Sequence, residues 1–184
     1  MSGIAPVRAD ELADRLKKSI RDIPDFPKPG ILFKDITPVL LDPALFRDAV
    51  SIMADWTKGW NAQKVLGVDA RGFLFAGAVA DRLGVGLVPA RKPSKLPYRT
   101  VSESYDLEYG VNTLELHVDA IEEGERVVVV DDLLATGGTV KAATRLVESL
   151  GGTVAGLAFV IELGFLDGRS KLLGYDTKSL VTFD

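Results

Sequence analysis

Two adjacent acids, Asp131 and Asp132, stand at the end of an apolar run, and a short glycine-containing turn follows them. The four valines at 127–130 precede the acids and favour a strand buried on both faces, as in a parallel sheet covered by helices. Residues 139–150 then have the apolar spacing of a helix. The order of strand, acidic tip, glycine turn and helix N-terminus is the arrangement that binds phosphorylated ligands in open α/β sheets.

The turn itself has the composition of a phosphate cradle. Its glycines permit close approach of the backbone and positive φ, and its threonines can donate hydroxyl hydrogens. No lysine precedes Thr139, so the turn is not a P-loop, and the chain contains no GxGxxG sequence. The predicted cradle consists of Ala135, Thr136, Gly137, Gly138 and Thr139.

The two acids indicate what the rest of the ligand is. A carboxylate beside a phosphate site is repulsive unless it binds another part of the same ligand. An ionised Asp only accepts hydrogen bonds, and the vicinal hydroxyls of a ribose are donors that fit this requirement. An ordinary strand end, with Asp131 or Asp132 solvated or capping a turn, is the weaker alternative for this whole run.

Basic side chains follow two further predicted strands, at 64–68 and 85–90. Arg is suited to planar, bidentate contact with phosphate. Basic strand tips are often only solvated, but beside an acidic tip they fit a ligand with phosphate at one end and pyrophosphate at the other. That shape is 5-phosphoribosyl 1-pyrophosphate (PRPP). The basic residues are Arg71 after the first strand and Arg91, Lys92 and Lys95 after the second.

An alternation of strands and helices must position these tips. It predicts an α/β fold with a mainly parallel twisted sheet and helices on both faces. Residues 1–40 and the C-terminal tail lie outside the alternation, so we expect them to form a small hood over the C-terminal strand edge. The predicted helices cover residues 10–23, 43–59, 72–83 and 139–150, and the predicted strands cover residues 64–68, 85–90, 111–118, 127–130 and 153–161.

The interval 92–110 is polar and lacks apolar periodicity. Structureless stretches longer than about 12–15 residues are usually functional or disordered. A lid that excludes water from a reactive ribosyl carbon is one interpretation, and a mobile surface hairpin is the other. Within the interval, Glu108 is a carboxylate that a closing lid could bring to a base.

Composition limits the remaining classes. The 184 residues fit one domain, and a net charge of −4 argues against a general nucleic-acid binder. There is no cysteine, and the only histidine, His117, receives no chemical role. No apolar run approaches the roughly 20 residues of a membrane span. The N-terminus lacks a signal-peptide core, so we expect a cytoplasmic location.

Five segments together resemble adenine phosphoribosyltransferases, a family of type I phosphoribosyltransferases. They occur in that family's order and span about residues 24–163. The PRPP turn indicates only the superfamily, whereas the first and fourth segments are typical of the adenine branch. The segments are FPKPGILFKDITP at 26–38, DARGF at 69–73, RKPSKLP at 91–97, YDLEYG at 105–110 and DDLLATGGT at 131–139.

The resemblance implies transfer of the phosphoribosyl group of PRPP to N9 of adenine, giving AMP and pyrophosphate. It further implies a homodimer and a Mg²⁺ ion carried by PRPP without dedicated protein ligands. The hood, about residues 24–40 and 162–184 of one 1–184 domain, would bind the base. The implied catalytic residues are Glu108, Asp131, Asp132 and Arg71; the pyrophosphate ligands are Arg71, Arg91, Lys92 and Lys95; the adenine ligands are Leu32, Phe33, Lys34 and Leu163; and the 5-phosphate ligands are the five cradle residues.

Three other functions stay open at this point. A phosphoribosyltransferase for another base, such as xanthine or orotate, is the nearest of them. A regulator that senses PRPP or a purine without catalysis would keep the cradle but release no pyrophosphate. A generic nucleotide-binding domain would bind ATP and show no dependence on PRPP.

Overall fold

The computed structural model describes residues 8–106 and 111–184, and these form two compact units with a boundary between Ile52 and Met53. Helix α3 crosses that boundary. The elements up to it are α1 (Ala9–Ser19), β1 (Arg21–Pro24), β2 (Leu32–Asp35), α2 (Thr37–Leu41) and α3 (Pro43–Gly59). The prediction of one domain with a hood at 24–40 and 162–184 stays a prediction.

The first unit corrects the predicted helix at 10–23. Helix α1 ends at Ser19, and β1 then pairs antiparallel with β2, with Ile23 opposite Phe33. The physical reason is Pro24, which cannot continue a helix and disfavours helical backbone at the residue before it. The predicted start of α3 is confirmed, because the Asp42 carboxylate accepts hydrogen bonds from the first free N–H groups of that helix.

The second unit contains a five-stranded, fully parallel sheet. The strand order is β4-β3-β7-β8-β9. Its elements are β3 (Lys64–Val68), α4 (Gly72–Leu83), β4 (Gly86–Ala90), β5 (Thr100–Asp106), β6 (Val111–His117), β7 (Arg126–Leu134), α5 (Gly138–Ser149), β8 (Thr153–Leu163) and β9 (Thr177–Phe183), with 3₁₀ turns at Gly164–Leu166 and Gly168–Leu172.

Helices cover both faces of this sheet, as predicted. Val127 and Val129 pack in one apolar cluster with residues of α5. On the opposite face α4 lies so close to β3 that a Cβ at Gly67 would sit 2.6 Å from the Ala76 side chain. All four valines at 127–130 are fully buried, which is why the run forms a central strand.

Besides β1 and β2 of the first unit, two strands of the second unit were absent from the sequence prediction. The C-terminal tail, expected outside the sheet, supplies β9, which pairs in parallel with β8. The polar interval 92–110 contains β5, which pairs antiparallel with β6 from Thr100 opposite His117 to Asp106 opposite Val111. Polar residues alternate with packed ones along β5, so its apolar content was too low to indicate a strand. Glu108, with the rest of 107–110, lies outside the described residues.

Within the described part of the chain, no helix combines the length and the apolar character needed to cross a membrane.

Candidate active site

A cavity of about 410 Å³ opens at the C-terminal ends of β3 and β7. In open parallel sheets this edge is where ligands bind. The ends of β3 and β7, the turn before α5 and the hairpin β5–β6 all contribute to its wall. The lining residues are Val68, Asp69, Ala70, Arg71, Lys92, Tyr105, Asn112 and the ten residues from Asp131 to Val140.

The cavity exists because two neighbouring strands end at different heights. Pairing between β3 and β7 stops at Gly67 opposite Val130, whereas β7 continues beside β8 as far as Leu134. From Asp131 onward, the side of β7 that faced β3 is therefore open. The predicted strand ended at Val130, so that boundary was wrong: the two acids lie within β7, held by continued pairing with β8.

Gly72 permits the close approach of helix α4 to strand β7. It is the first residue of α4, and a Cβ at this position would lie 2.6 Å from Asp131 Oδ1. Only a residue without a side chain lets the start of α4 pack against the Asp131 carboxylate.

Burial governs the charge of the acid pair. Burial, reinforced by the neighbouring Asp132 carboxylate, raises the pKa of Asp131 well above its ordinary value of 3.8. Burial also raises the pKa of Asp132, and the Arg71 guanidinium opposes that shift. Arg71 Nε lies 2.9 Å from Asp132 Oδ2, yet among the described residues this buried oxygen accepts no hydrogen bond of good geometry. Both acids line the cavity, and Asp132 Oδ2 is buried beside the Arg71 guanidinium.

The turn before α5 is built to hold an anion. Gly137 has φ +77°, a conformation that favours glycine, and α5 begins at the next residue. The free N–H groups of the first helical turn and the helix dipole both point into the cavity from this end. The N-cap residue, Gly137, has no side chain to cap this helix start, so the N–H groups of the first turn are available to a ligand.

A second segment supports this turn from behind. Gly168 is buried against it: a Cβ on Gly168 would overlap the Ala135 carbonyl oxygen, and one on Gly137 would overlap the Gly168 carbonyl. Arg169 fixes the segment by a two-pronged ion pair with Glu162 and a 2.8 Å hydrogen bond to the Thr177 carbonyl. Arg169 thereby holds the pKa of Glu162 below its ordinary value.

Comparisons with known proteins identify the family. A model of the phosphoribosyl transferase domain matches residues 40–180. An adenine phosphoribosyltransferase from Caldanaerobacter subterraneus subsp. tengcongensis is 56% identical over 170 residues, covering 92% of this chain and 98% of that relative. The chain belongs to the adenine phosphoribosyltransferase family.

Solved structures of adenine phosphoribosyltransferases have the same fold. The enzyme from Thermoanaerobacter pseudethanolicus is 56% identical with a TM-score of 0.90, covering 93% of this chain and 99% of that one. The Saccharomyces cerevisiae enzyme, solved with D-2,5-dideoxy-2,5-imino-altritol 1,6-bisphosphate and adenine, is 38% identical with a TM-score of 0.87, covering 93% and 99%. The predicted fold class and family are confirmed.

The cavity of this adenine phosphoribosyltransferase family member collects most of the residues predicted to bind PRPP. Arg91 and Lys95 do not line it. Arg91 Nε instead lies 3.0 Å from Asp69 Oδ2, and its guanidinium also donates to the Lys95 carbonyl at 3.0 Å. The predicted residues that do line the cavity are Arg71, Lys92, Asp131, Asp132, Ala135, Thr136, Gly137, Gly138 and Thr139.

The predicted adenine ligands fall in both units. In the first unit, Leu32 is half exposed, and the Phe33 ring packs edge to face on Phe26 with centroids 5.1 Å apart. Lys34 Nζ lies 2.6 Å from Asp22 Oδ1, so its side chain is bound within that unit. In the second unit, Leu163 is buried at the end of β8. Their roles toward adenine stay predictions.

Sequence reasoning missed three residues of the site. Tyr105 and Asn112 face each other across the β5–β6 hairpin and both line the cavity, but the missed β5 strand hid their pairing. No local pattern indicates Gly168, because a side chain is excluded there by the backbone of Ala135 and Gly137, which lies 31 to 33 positions away in sequence.

PRPP binding should release a proton from the acid pair. The raised pKa of Asp131 means that in the free protein its carboxyl stays protonated at pH values above 3.8, where an exposed Asp has already ionised. Ribose hydroxyl donors favour the ionised form, so PRPP affinity should fall as pH falls through the raised pKa. Calorimetry in two buffers of different ionisation enthalpy measures the release, and Asp131→Asn should lack this part of it. Equal proton release by Asp131→Asn and the parent protein would contradict the assignment.

Gly168→Ala should weaken PRPP binding while the protein stays folded. The new methyl group would push the Ala135–Gly137 backbone away from its position, costing a loop hydrogen bond to the phosphate. Such a bond to a charged group is worth about 1.5–3 kcal/mol, equivalent to roughly a 10–100-fold rise in KM for PRPP. Gly59→Ala is the matched control, because a Cβ there meets nothing within 4 Å. An unchanged KM in the folded Gly168→Ala protein would show that the segment does not support the turn.

Proposed function

We propose that the chain transfers the 5-phosphoribosyl group of PRPP to N9 of adenine, producing AMP and pyrophosphate. The observation that carries the proposal is a cavity at the ends of parallel strands. Its wall contains both the acid pair and the turn at the N-terminus of α5. The family membership supports the same reaction.

The sugar phosphate occupies the end of the cavity next to α5. The N–H groups and hydroxyls of the predicted cradle, Ala135 to Thr139, hold the 5-phosphate. Asp131 and Asp132, which both line the cavity, accept hydrogen bonds from the two ribose hydroxyls. Fixed carboxylates also stabilise the positive charge that develops on the ribosyl carbon.

The pyrophosphate lies toward the end of β3, where Arg71 and Lys92 line the cavity. Arg71 is already within 2.9 Å of Asp132, so one guanidinium reaches both the sugar-binding acid and the leaving group's side of the cavity. Arg91 and Lys95 assist pyrophosphate binding by rearrangement on substrate binding.

Adenine is recognised through backbone groups rather than charges. The N–H and C=O of Leu32 and Lys34 would match the N1 acceptor and the N6 donor of adenine, with Phe33 stacking on the ring. The family resemblance adds Leu163 as a further adenine ligand. The engagement of the Lys34 side chain by Asp22 supports a backbone role for Lys34. A 6-oxopurine reverses both hydrogen-bond partners and leaves buried groups unpaired, which is a strong basis for rejection.

The residues around the acid pair fit a Mg²⁺ ion that arrives with PRPP. Carboxylate oxygens are the ligands that Mg²⁺ prefers, and it usually keeps several waters. Among residues 8–106 and 111–184, no group of three His or acidic side chains forms a dedicated metal site. When bound, the ion would neutralise pyrophosphate charge, while Asp131 and Asp132 orient the ribose beside it.

Glu108 accepts the proton that the adenine imidazole ring loses as N9 bonds to the ribosyl carbon. Chain length is compatible with this role, because Tyr105 lines the cavity and three residues span at most about 11 Å of chain. Adenine N9 displaces pyrophosphate with inversion at the ribosyl carbon. The homodimer and the cytoplasmic location rest on the sequence argument and stay predictions.

The decisive experiment supplies Mg²⁺, PRPP and a panel of bases and follows nucleotide and pyrophosphate. Adenine should give AMP and stoichiometric pyrophosphate, with hypoxanthine, guanine, xanthine and orotate reacting poorly. Faster reaction of another base would assign the chain to that base instead. Tight PRPP binding without pyrophosphate release would identify a sensor, and ATP binding without PRPP dependence would identify a generic nucleotide domain.

A further inference from the structure

Tyr105 connects strand β5 to the predicted phosphate cradle. Its hydroxyl oxygen lies 3.1 Å from Thr139 Oγ1, and its ring packs against the apolar cluster of the sheet. Packing fixes the ring, so the hydroxyl has a defined position at the cavity wall. Nothing in the base-transfer chemistry itself requires this hydroxyl.

One face of β5 follows helix α5 along its length. Val101 packs against the apolar cluster, Glu103 forms a 2.8 Å ion pair with Arg145, and Tyr105 meets Thr139. Only the last of these contacts reaches the cavity. The Glu103–Arg145 ion pair attaches β5 to α5 away from the cavity. The Tyr105–Thr139 hydrogen bond also attaches β5 to α5, but a ligand in the cavity can change it.

A bound phosphate determines which hydroxyl donates in the hydrogen bond between Tyr105 and Thr139. A phosphate oxygen only accepts hydrogen bonds, so a bound 5-phosphate takes the Thr139 hydroxyl proton. The Thr139 oxygen is then left as an acceptor, and the Tyr105 phenol is the donor within reach. Hydrogen bonds in a chain that ends on an anion strengthen one another.

We propose that Tyr105 is a positioning residue that senses the 5-phosphate through Thr139 and holds strand β5 at the wall of the occupied cavity. The inference rests on the proposed function, because it takes Thr139 as a ligand of the 5-phosphate. Occupation of the cradle orders the hydroxyl chain from Tyr105 to Thr139 to phosphate, and the end of strand β5 is held in consequence.

A double-mutant cycle with AMP as the probe tests the coupling. Tyr105→Phe removes one hydroxyl and keeps the ring packed, and Thr139→Val removes the other and keeps the branched shape. Tyr105→Phe should weaken AMP binding about 3–10-fold, the effect of one lost hydrogen bond. In the Thr139→Val background the same change should have no further effect. Calorimetric Kd values for the four proteins measure this.

Steady-state kinetics provide the second measurement. Tyr105→Phe should raise KM for PRPP and lower kcat, because both phosphate binding and the placement of the hairpin depend on the hydroxyl. Glu103→Gln, which loosens the same strand away from the cavity, should leave the Kd of AMP unchanged. An equal loss in Glu103→Gln, or additive losses in the cycle, would reduce Tyr105 to a structural attachment and overturn the proposal.

The outcomes also separate this inference from the proposed function. If the parent protein forms no AMP from adenine and PRPP, the proposed function fails. If it forms AMP and Tyr105→Phe binds AMP as tightly as the parent does, only the role of Tyr105 fails.

Discussion

Glu108→Gln should lower the rate of AMP formation in a single turnover by about 10²–10⁴-fold, the usual contribution of a general base. The amide has the shape of the carboxylate but cannot take the adenine proton. Adenine and PRPP should still bind, because the cradle and the acid pair are intact. Rapid mixing of preloaded protein with adenine measures the step without interference from product release.

The matched control for Glu108→Gln lies in the same hairpin. Glu103→Gln makes the same chemical change on β5, where the carboxylate contacts Arg145 rather than the cavity. Its single-turnover rate should equal that of the parent protein. A near-normal rate for Glu108→Gln would remove Glu108 from the reaction and place proton acceptance elsewhere.

Asp132→Asn should reduce kcat/KM for PRPP by about 10²–10³-fold, the range for losing one preorganised electrostatic group. The substitution removes an acceptor for a ribose hydroxyl and the negative charge next to the developing cation. KM for adenine should change little. Asp42→Asn is the control, because Asn caps a helix as well as Asp does and Asp42 lies at the start of α3.

Asp132→Asn should lower activity without lowering the stability of the fold. Folding raises the pKa of Asp132, so its contribution to stability is complete below pH 3.8 and is lost as pH rises through the raised value. At neutral pH a neutral amide avoids the cost of burying that charge. Thermal unfolding at pH 7 should therefore give a Tm equal to or above that of the parent, and a clear decrease would mean that the Arg71 ion pair outweighs burial.

The parts of the fold with strong periodicity were predictable from sequence. Helix α4 and strand β3 have the predicted bounds, and the valine run forms the central strand. The N-terminal helix was overextended because Ile20 and Ile23 continue its apolar spacing, and pairing between β1 and β2 overrides that local pattern. Strand β5 was missed because its residues are mostly polar, although its partner β6 follows directly in the chain. Strand β9 was missed because pairing with β8 rather than propensity defines it.

The candidate site also contains residues that the sequence indicated and residues that it did not. The acids, the glycine turn and Arg71 are adjacent to strand ends, so local sequence indicated both their place and their chemistry. The open edge of β7 depends on where β3 stops pairing, and Gly168 depends on the backbone of another segment. Such contacts belong to the three-dimensional arrangement, and no spacing rule along the chain contains them.

The packing of Gly168 against the phosphate turn affects the order in which the site can form during translation. Residues 135–139 leave the ribosome well before residue 168, and β8 and the Arg169 ion pair form only after the segment beyond it has emerged. The support of the turn is therefore complete only after the chain has been synthesised past Thr177.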